Sequence, residues 1–103
     1  YDKKYLSGRN LEGVDFTGVN MDCANLDHTR LKGAKFVRAS GDGATFRSAD
    51  ALGVDFLEAA LVGADFRGAD LRGAIFQAAV VESSSFASAK LAGSNFNEAV
   101  LSR

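Results

Sequence analysis

The feature that most constrains this chain is a repeat of five. Counting from Leu6, the positions five apart read Leu6, Leu11, Phe16, Met21, Leu26, Leu31, Phe36, Gly41, Phe46, Ala51, Phe56, Leu61, Phe66, Leu71, Phe76, Val81, Phe86, Leu91, Phe96 and Leu101. All 8 phenylalanines of the chain fall in this one class. From position 14 on, the site two residues before the large one is nearly always small, as at Ala24, Ala34, Ala44, Ala64 and Ala74, with Ser84 and Ser94 as variants; two residues after it glycine dominates.

Neither common secondary structure can use this spacing. On an α-helix a step of five advances about 140° beyond a full turn, so the large residues would spread round the cylinder and leave no stripe to bury. In a strand with a side-chain period of two, alternate large residues would point to opposite faces. The solution that buries all of them is a solenoid. Each five-residue unit then forms one side of a coil, with its large residue and small partner turned inward, and each coil is stable only against its neighbours.

If four sides close a coil, successive coils lie twenty residues apart and stack at about 4.8 Å, the inter-strand spacing. The columns support this. Phe16, Phe36, Phe56, Phe76 and Phe96 form one, Leu26, Phe46, Phe66 and Phe86 the one opposite, and Leu11, Leu31, Ala51, Leu71 and Leu91 a third. Large and medium residues alternating round a square core would bring it to native density. Gly13, Gly33, Gly53, Gly73 and Gly93 recur at one corner, which suggests a backbone angle that a β-carbon would oppose.

Units such as Ala64-Asp65-Phe66-Arg67-Gly68 and Ala69-Asp70-Leu71-Arg72-Gly73 resemble the A(D/N)LXX units of the pentapeptide repeat family. The resemblance covers essentially the whole chain. It implies an all-β fold, a right-handed quadrilateral β-helix with short strands or bridges and tight turns. The family's functions are diverse: topoisomerase protection by acidic, DNA-shaped dimers, assembly or regulatory interactions in cyanobacteria, and proteins of the thylakoid lumen. The expected organisation is one domain over residues 1–103, since no proline, Ser/Gly tract or long charge run marks a linker.

The pattern lapses at Gly41 and Ala51, two facing core sites of one layer. Removing a core leucine side chain down to alanine costs about 2 to 5 kcal/mol, so compensation is expected. The expectation is that "ASGDG", residues 39–43, distorts its coil and that Leu52 or nearby phenylalanines lean into the gap. A small ligand cavity beside Phe46 and Phe56 is the alternative, but no converging polar groups accompany it.

Little in the chain suggests catalysis. A regular prism offers flat walls rather than a concave site. Cys23 and His28 fall at successive outward corners, and a zinc site needs three or four ligands. Asp15, Asp55, Asp65 and Asp70 occupy the position just before the large residue, where they serve turn backbone or face solvent rather than act as paired acids. Gly63, Gly68 and Gly73 make no phosphate-binding loop. The chain therefore reads as a non-enzyme, with no cofactor, metal or small-molecule substrate expected.

Its 12 basic and 13 acidic residues leave no strong field for a nucleic acid. Arg30, Lys32, Lys35 and Arg38 share one coil, and Arg47 lies in column with Arg67, yet no aromatic residue is free to stack on bases. Nucleic-acid binding is not expected. There is no apolar run long enough for a membrane span and no signal-peptide pattern, so the chain is expected to be soluble. Beginning at Tyr1 rather than Met, it reads as a processed or partly ordered product, and the resemblance is compatible with a bacterial cytoplasm or a thylakoid lumen.

Outward apolar residues carry the functional expectation: Val37, Leu57, Ala60, Val62, Ile75, Val80 and Val100. Folding the columns sets Val37 over Leu57 and aligns Ala60, Val80 and Val100, a patch of the kind that marks protein contacts. The ends at Tyr1 and Arg103 would expose sheet edges unless something covers them. The reading is a rigid interaction module docking on a protein partner, or on itself, through a side face or an end. The alternative is a DNA-mimicking regulator of a type II topoisomerase. Mimicry needs extended acidic stripes, whereas Asp22 and Asp42 are followed in column by Val62, and Arg47 and Arg67 interrupt another.

Overall fold

In a computed structural model of the chain, residues 5–101 are described. Parallel bridges join residues twenty apart without interruption, from Tyr5↔Asn25 through Asp50↔Asp70 to Val80↔Val100. Each side contributes one bridge rather than an extended strand, and the coils stack into a four-walled prism measuring 33 × 22 × 21 Å. We name the walls by their inward columns. The first is centred on Leu6, Leu26, Phe46, Phe66 and Phe86, and the second on Leu11, Leu31, Ala51, Leu71 and Leu91. The third holds Phe16, Phe36, Phe56, Phe76 and Phe96, and the fourth Met21, Gly41, Leu61, Val81 and Leu101.

The five amides of one unit show why the chain coils. Phe66 N–H donates to Ser85 O of the next coil at 2.8 Å and Gly68 N–H to Ala87 O at 2.9 Å. Ala69 N–H closes the corner on Phe66 O at 3.1 Å, and Asp70 N–H reaches back to Ala49 O of the preceding coil at 2.9 Å. The remaining amide, Arg67 N–H, is taken by the Asp65 side chain at 3.1 Å. Every donor of the unit is thus paired, as burial of backbone demands.

The corner bond from residue 69 to residue 66 spans four residues with positive φ at the third, the signature of a type II turn. Gly68 and Gly73 adopt φ of 71° and 70° there. The sequence marks this angle at one corner, but the structure uses it at every corner: Cys23, His28, Arg38, Ser48, Glu58, Ala78, Ser83, Ser88 and Glu98 are held between 54° and 61°.

Two phenylalanine ladders fill the interior. Rings of the third wall stack at 4.6 to 5.0 Å and those of the first at 4.8 to 5.1 Å. Across the core each ring meets the opposite ladder edge-on, at 5.6 to 5.8 Å and 80° to 90° from Phe36 through Phe96. Both arrangements suit the aromatic quadrupole. Phe36, Phe46, Phe56, Phe66 and Phe76 are fully enclosed, whereas Phe86 and Phe96 in the last coil are half-buried.

The layer with Gly41 and Ala51 corrects one expectation. Its coil is not distorted: Ser40 and Thr45 keep their bridges to Ala60 and Asp65, and Gly41 N–H donates to Ala60 O at 2.7 Å. Nor does Leu52 fill the gap, since it stays at the half-exposed surface. Leu61 of the next coil does: a β-carbon added at Gly41 would stand 3.0 Å from its Cδ2. On the opposite side Val54, fully buried, replaces the alanine found at Ala34 and Ala74 in its column, and returns two of the three carbons that Ala51 lacks. Repacking from adjacent positions costs less than bending a coil whose hydrogen bonds are all made.

Candidate functional surface

Because the interior is filled, chemistry must come from the three outward positions of each unit. Aspartates before the large residue turn back into the corner, as Asp15, Asp55, Asp65 and Asp70 accept from the amides of Thr17, Leu57, Arg67 and Arg72 at 2.9 to 3.2 Å. This matches the turn-backbone role read from their position. Where the unit lacks such a residue, at Ser40, Thr45 and Ala60, a carboxylate of the previous coil takes over: Asp22 receives Asp42 N–H at 3.0 Å, Asp27 receives Arg47 N–H at 2.9 Å and Asp42 receives Val62 N–H at 2.9 Å. Ser40 Oγ also donates to Asp22. Sequence reasoning missed this relay; its signal is an aspartate, Asp22, Asp27 or Asp42, standing twenty residues before the amide of a unit that lacks Asp or Asn of its own.

Arg30, Arg38, Arg47, Arg67 and Arg72 do not stand as free cations. Arg47 grips the buried Asp27 through Nε and Nη2 at 3.0 and 2.7 Å. Arg67 and Arg72 fold onto Asp65 and Asp70, with Nη2 at 2.7 Å in both. Hydrogen bonds from these arginine side chains hold the carboxyls of Asp65 and Asp70 below the usual range. At Asp27 burial pushes the other way, but the Arg47 side-chain and backbone donors outweigh it and the net shift is downward. Arg30 pairs with Glu12 at 3.4 Å and Arg38 with Glu58 at 3.2 Å. The basic residues expected within one coil do share it, on two adjacent walls, Arg30 and Lys32 on the second and Lys35 and Arg38 on the third.

Cys23 and His28 are exposed at successive corners, as expected. Among the described residues no group of three or more His, Cys, Asp or Glu is placed to hold a metal, and no helix is long and apolar enough to cross a membrane. An open depression on the outside of the first wall is lined by Arg47, Ser48, Arg67, Gly68, Ala87 and Ser88, and neither Gly41 nor Ala51 lines it.

The outward apolar residues occupy two neighbouring walls. On the third, Arg38 N–H donates to Leu57 O at 2.8 Å, which sets the Val37 turn directly on Leu57; Ile75 bridges Asp55 one coil further on. On the fourth, Ala60, Val80 and Val100 are joined in line by bridges. Val62 and Val100 are 38% and 42% exposed, and Val37, Leu57, Ala60, Ile75 and Val80 are half-buried. Leu101, which sequence reasoning treated only as a core position, is 55% exposed beside Val100. The chain ends at Tyr1 and Arg103 lie outside the described residues.

The family described as Pentapeptide repeats matches residues 5–39 and 42–77 in eight copies, and the break falls at Ser40 and Gly41, where the large residue is lost. Among solved structures, the chain is similar to a pentapeptide repeat protein from the Arabidopsis thaliana thylakoid lumen. Identity is 33% over 91% of this chain, with a TM-score of 0.89, and the match spans 66% of that protein's length. A pentapeptide repeat protein from the cyanobacterium Cyanothece matches at 24% identity over 84% of this chain and 63% of its own, with a TM-score of 0.66. QnrB1, a plasmid-mediated fluoroquinolone resistance protein, matches at 21% over 92% of this chain and 68% of its own, with a TM-score of 0.51. No curated protein matches the sequence. Twenty-residue coils, aromatic columns and family match agree, and the chain belongs to the pentapeptide repeat family.

Proposed function

We propose that the chain is a non-catalytic interaction module, a rigid prism that docks on a protein partner through the edge between its third and fourth walls. The observation that carries the reading is the row of Ala60, Val80 and Val100 on one wall, with Val62 beside it and Val37, Leu57 and Ile75 round the corner. These positions face outward in a repeat that elsewhere places Asp, Asn, Arg or Ser there, so their apolar character is not required by the coil. A fixed apolar surface on a stiff scaffold loses little entropy on binding. Mimicry of nucleic acid is the weaker reading, because Arg47 and Arg67 stand on the first wall and Arg30, Lys32, Arg72 and Lys90 on the second, where a continuous acidic stripe would be needed. The test is to change Leu57 and Val80 to glutamate and compare capture from the native source and self-association with the parent chain. Loss of both association and capture in a chain that still melts cooperatively is expected; unaltered association and capture would count against the edge.

A further inference from the structure

The charges around the apolar edge are unevenly placed. On the fourth wall stand Asp22, Asp42 and Glu82, and among its described residues there is no lysine or arginine. The third wall adds Asp15, Asp55, Glu58 and Glu98 against Lys35 and Arg38, and Arg38 is already paired with Glu58. All other described cations lie on the first two walls. Asp22 and Asp42 are also held in place: one oxygen of each accepts from the backbone of the following coil, and Asp42 does so from the amide of Val62 itself. Among the described residues, the second carboxylate oxygen of each has no hydrogen-bond partner. A carboxylate fixed by its own scaffold next to exposed apolar side chains pairs with an incoming cation at small entropic cost.

Resting on the docking reading above, we infer that the occupant of this edge is a protein surface that carries lysine or arginine around an apolar centre. The apolar centre covers Val62, Val80 and Val100, and the cations meet Asp22 and Asp42. A second copy of this chain fits less well, since the outward apolar residues of its cation-bearing walls are scattered, with Leu52 half-exposed in the middle of the prism and Tyr5, 72% exposed, in the first described coil.

The test uses two short amphipathic peptides with the same leucine positions, one flanked by lysines and the other by glutamates. Each is titrated into the chain while the methyl signals of Val62, Val80 and Val100 are followed by NMR. The lysine peptide is expected to bind about tenfold more tightly than the glutamate peptide at low salt, and to lose that advantage as salt rises from about 0.05 to about 0.5 M. The chain with Asp22→Asn and Asp42→Asn keeps an oxygen for each backbone cap, so it should melt like the parent yet bind the two peptides equally. Equal binding of both peptides by the parent, or no effect of the double change, would overturn the inference while leaving the docking edge standing. If neither peptide moves those methyls, the edge itself fails and the inference with it.

Discussion

Phe56 offers the sharpest test of how the core is held. Its ring is fully buried, stacks on Phe36 and Phe76 at 5.0 Å each, and meets Phe46 and Phe66 edge-on at 5.6 Å each. Truncating a buried phenylalanine to alanine costs about 3 to 5 kcal/mol, the higher figure where the surroundings cannot collapse. Here the rings above and below are pinned by coils whose spacing is set by hydrogen bonds, so the hole cannot close and Phe56→Ala should reach about 5 kcal/mol. Phe96 is half-buried and makes one stacked and one edge-on contact, to Phe76 and Phe86, so Phe96→Ala should cost about half as much, roughly 2 to 3 kcal/mol. Urea unfolding followed by far-ultraviolet circular dichroism measures both, and the double change Phe56→Ala with Phe76→Ala should reveal a coupling of about 0.5 to 1.5 kcal/mol. Equal losses at the two positions, or no coupling, would refute the idea that stacked and facing ladders carry the stability.

The corners, the Gly41 layer and the carboxylates give further expectations. A β-carbon at Gly73 would meet nothing nearer than Gly53 Cα at 4.0 Å, so Gly73→Ala isolates the cost of φ at 70°, about 1 to 2 kcal/mol in a urea titration. Conversely Ala78→Gly, at φ 57°, should gain about 0.5 to 1 kcal/mol after the added freedom of the unfolded chain is subtracted. Gly41→Leu should overpack against Leu61 and destabilise by about 1 to 3 kcal/mol, and Leu61→Ala in the same chain should restore part of that loss. Because the carboxyls of Asp27, Asp65 and Asp70 lie below their ordinary range in the folded chain, the stability they contribute is fully present above that range and is lost as pH falls through the lowered values. Melting temperature should therefore stay level from neutrality down to about pH 5 and fall below about pH 4, and Asp27→Asn should flatten part of that fall.

The walls, the inward columns and the facing ladders could be read from spacing alone, because a period of five leaves the large residues no other common inside. The angle at every corner could not. Arg38, Glu58 and Cys23 are residues that avoid positive φ, and the bonds from their amides to the next coil, with the turn bond that closes each corner, hold them there. The compensation at Gly41 was hidden for a similar reason: it depends on how Leu61, one coil away, turns its side chain. Aspartate caps within a unit were legible at Asp65 and Asp70, whereas the relay from Asp22 to Asp42 to Val62 joins residues twenty apart and exists only because Ser40 and Ala60 cannot cap. The alignment of Ala60, Val80 and Val100 followed from the columns, but the neutralisation of Arg47 and Arg67 depended on side-chain reach that spacing does not encode.

The most direct measurement of the docking edge is a methyl NMR spectrum of the chain with and without the protein recovered by capture. Signals of Val37, Leu57, Val62, Ile75, Val80 and Val100 should shift together, while those of the enclosed Val54 and Leu71 stay in place. Shifts confined to Leu52 and the walls that bear Arg47 and Arg72, with the third and fourth walls unchanged, would contradict the account.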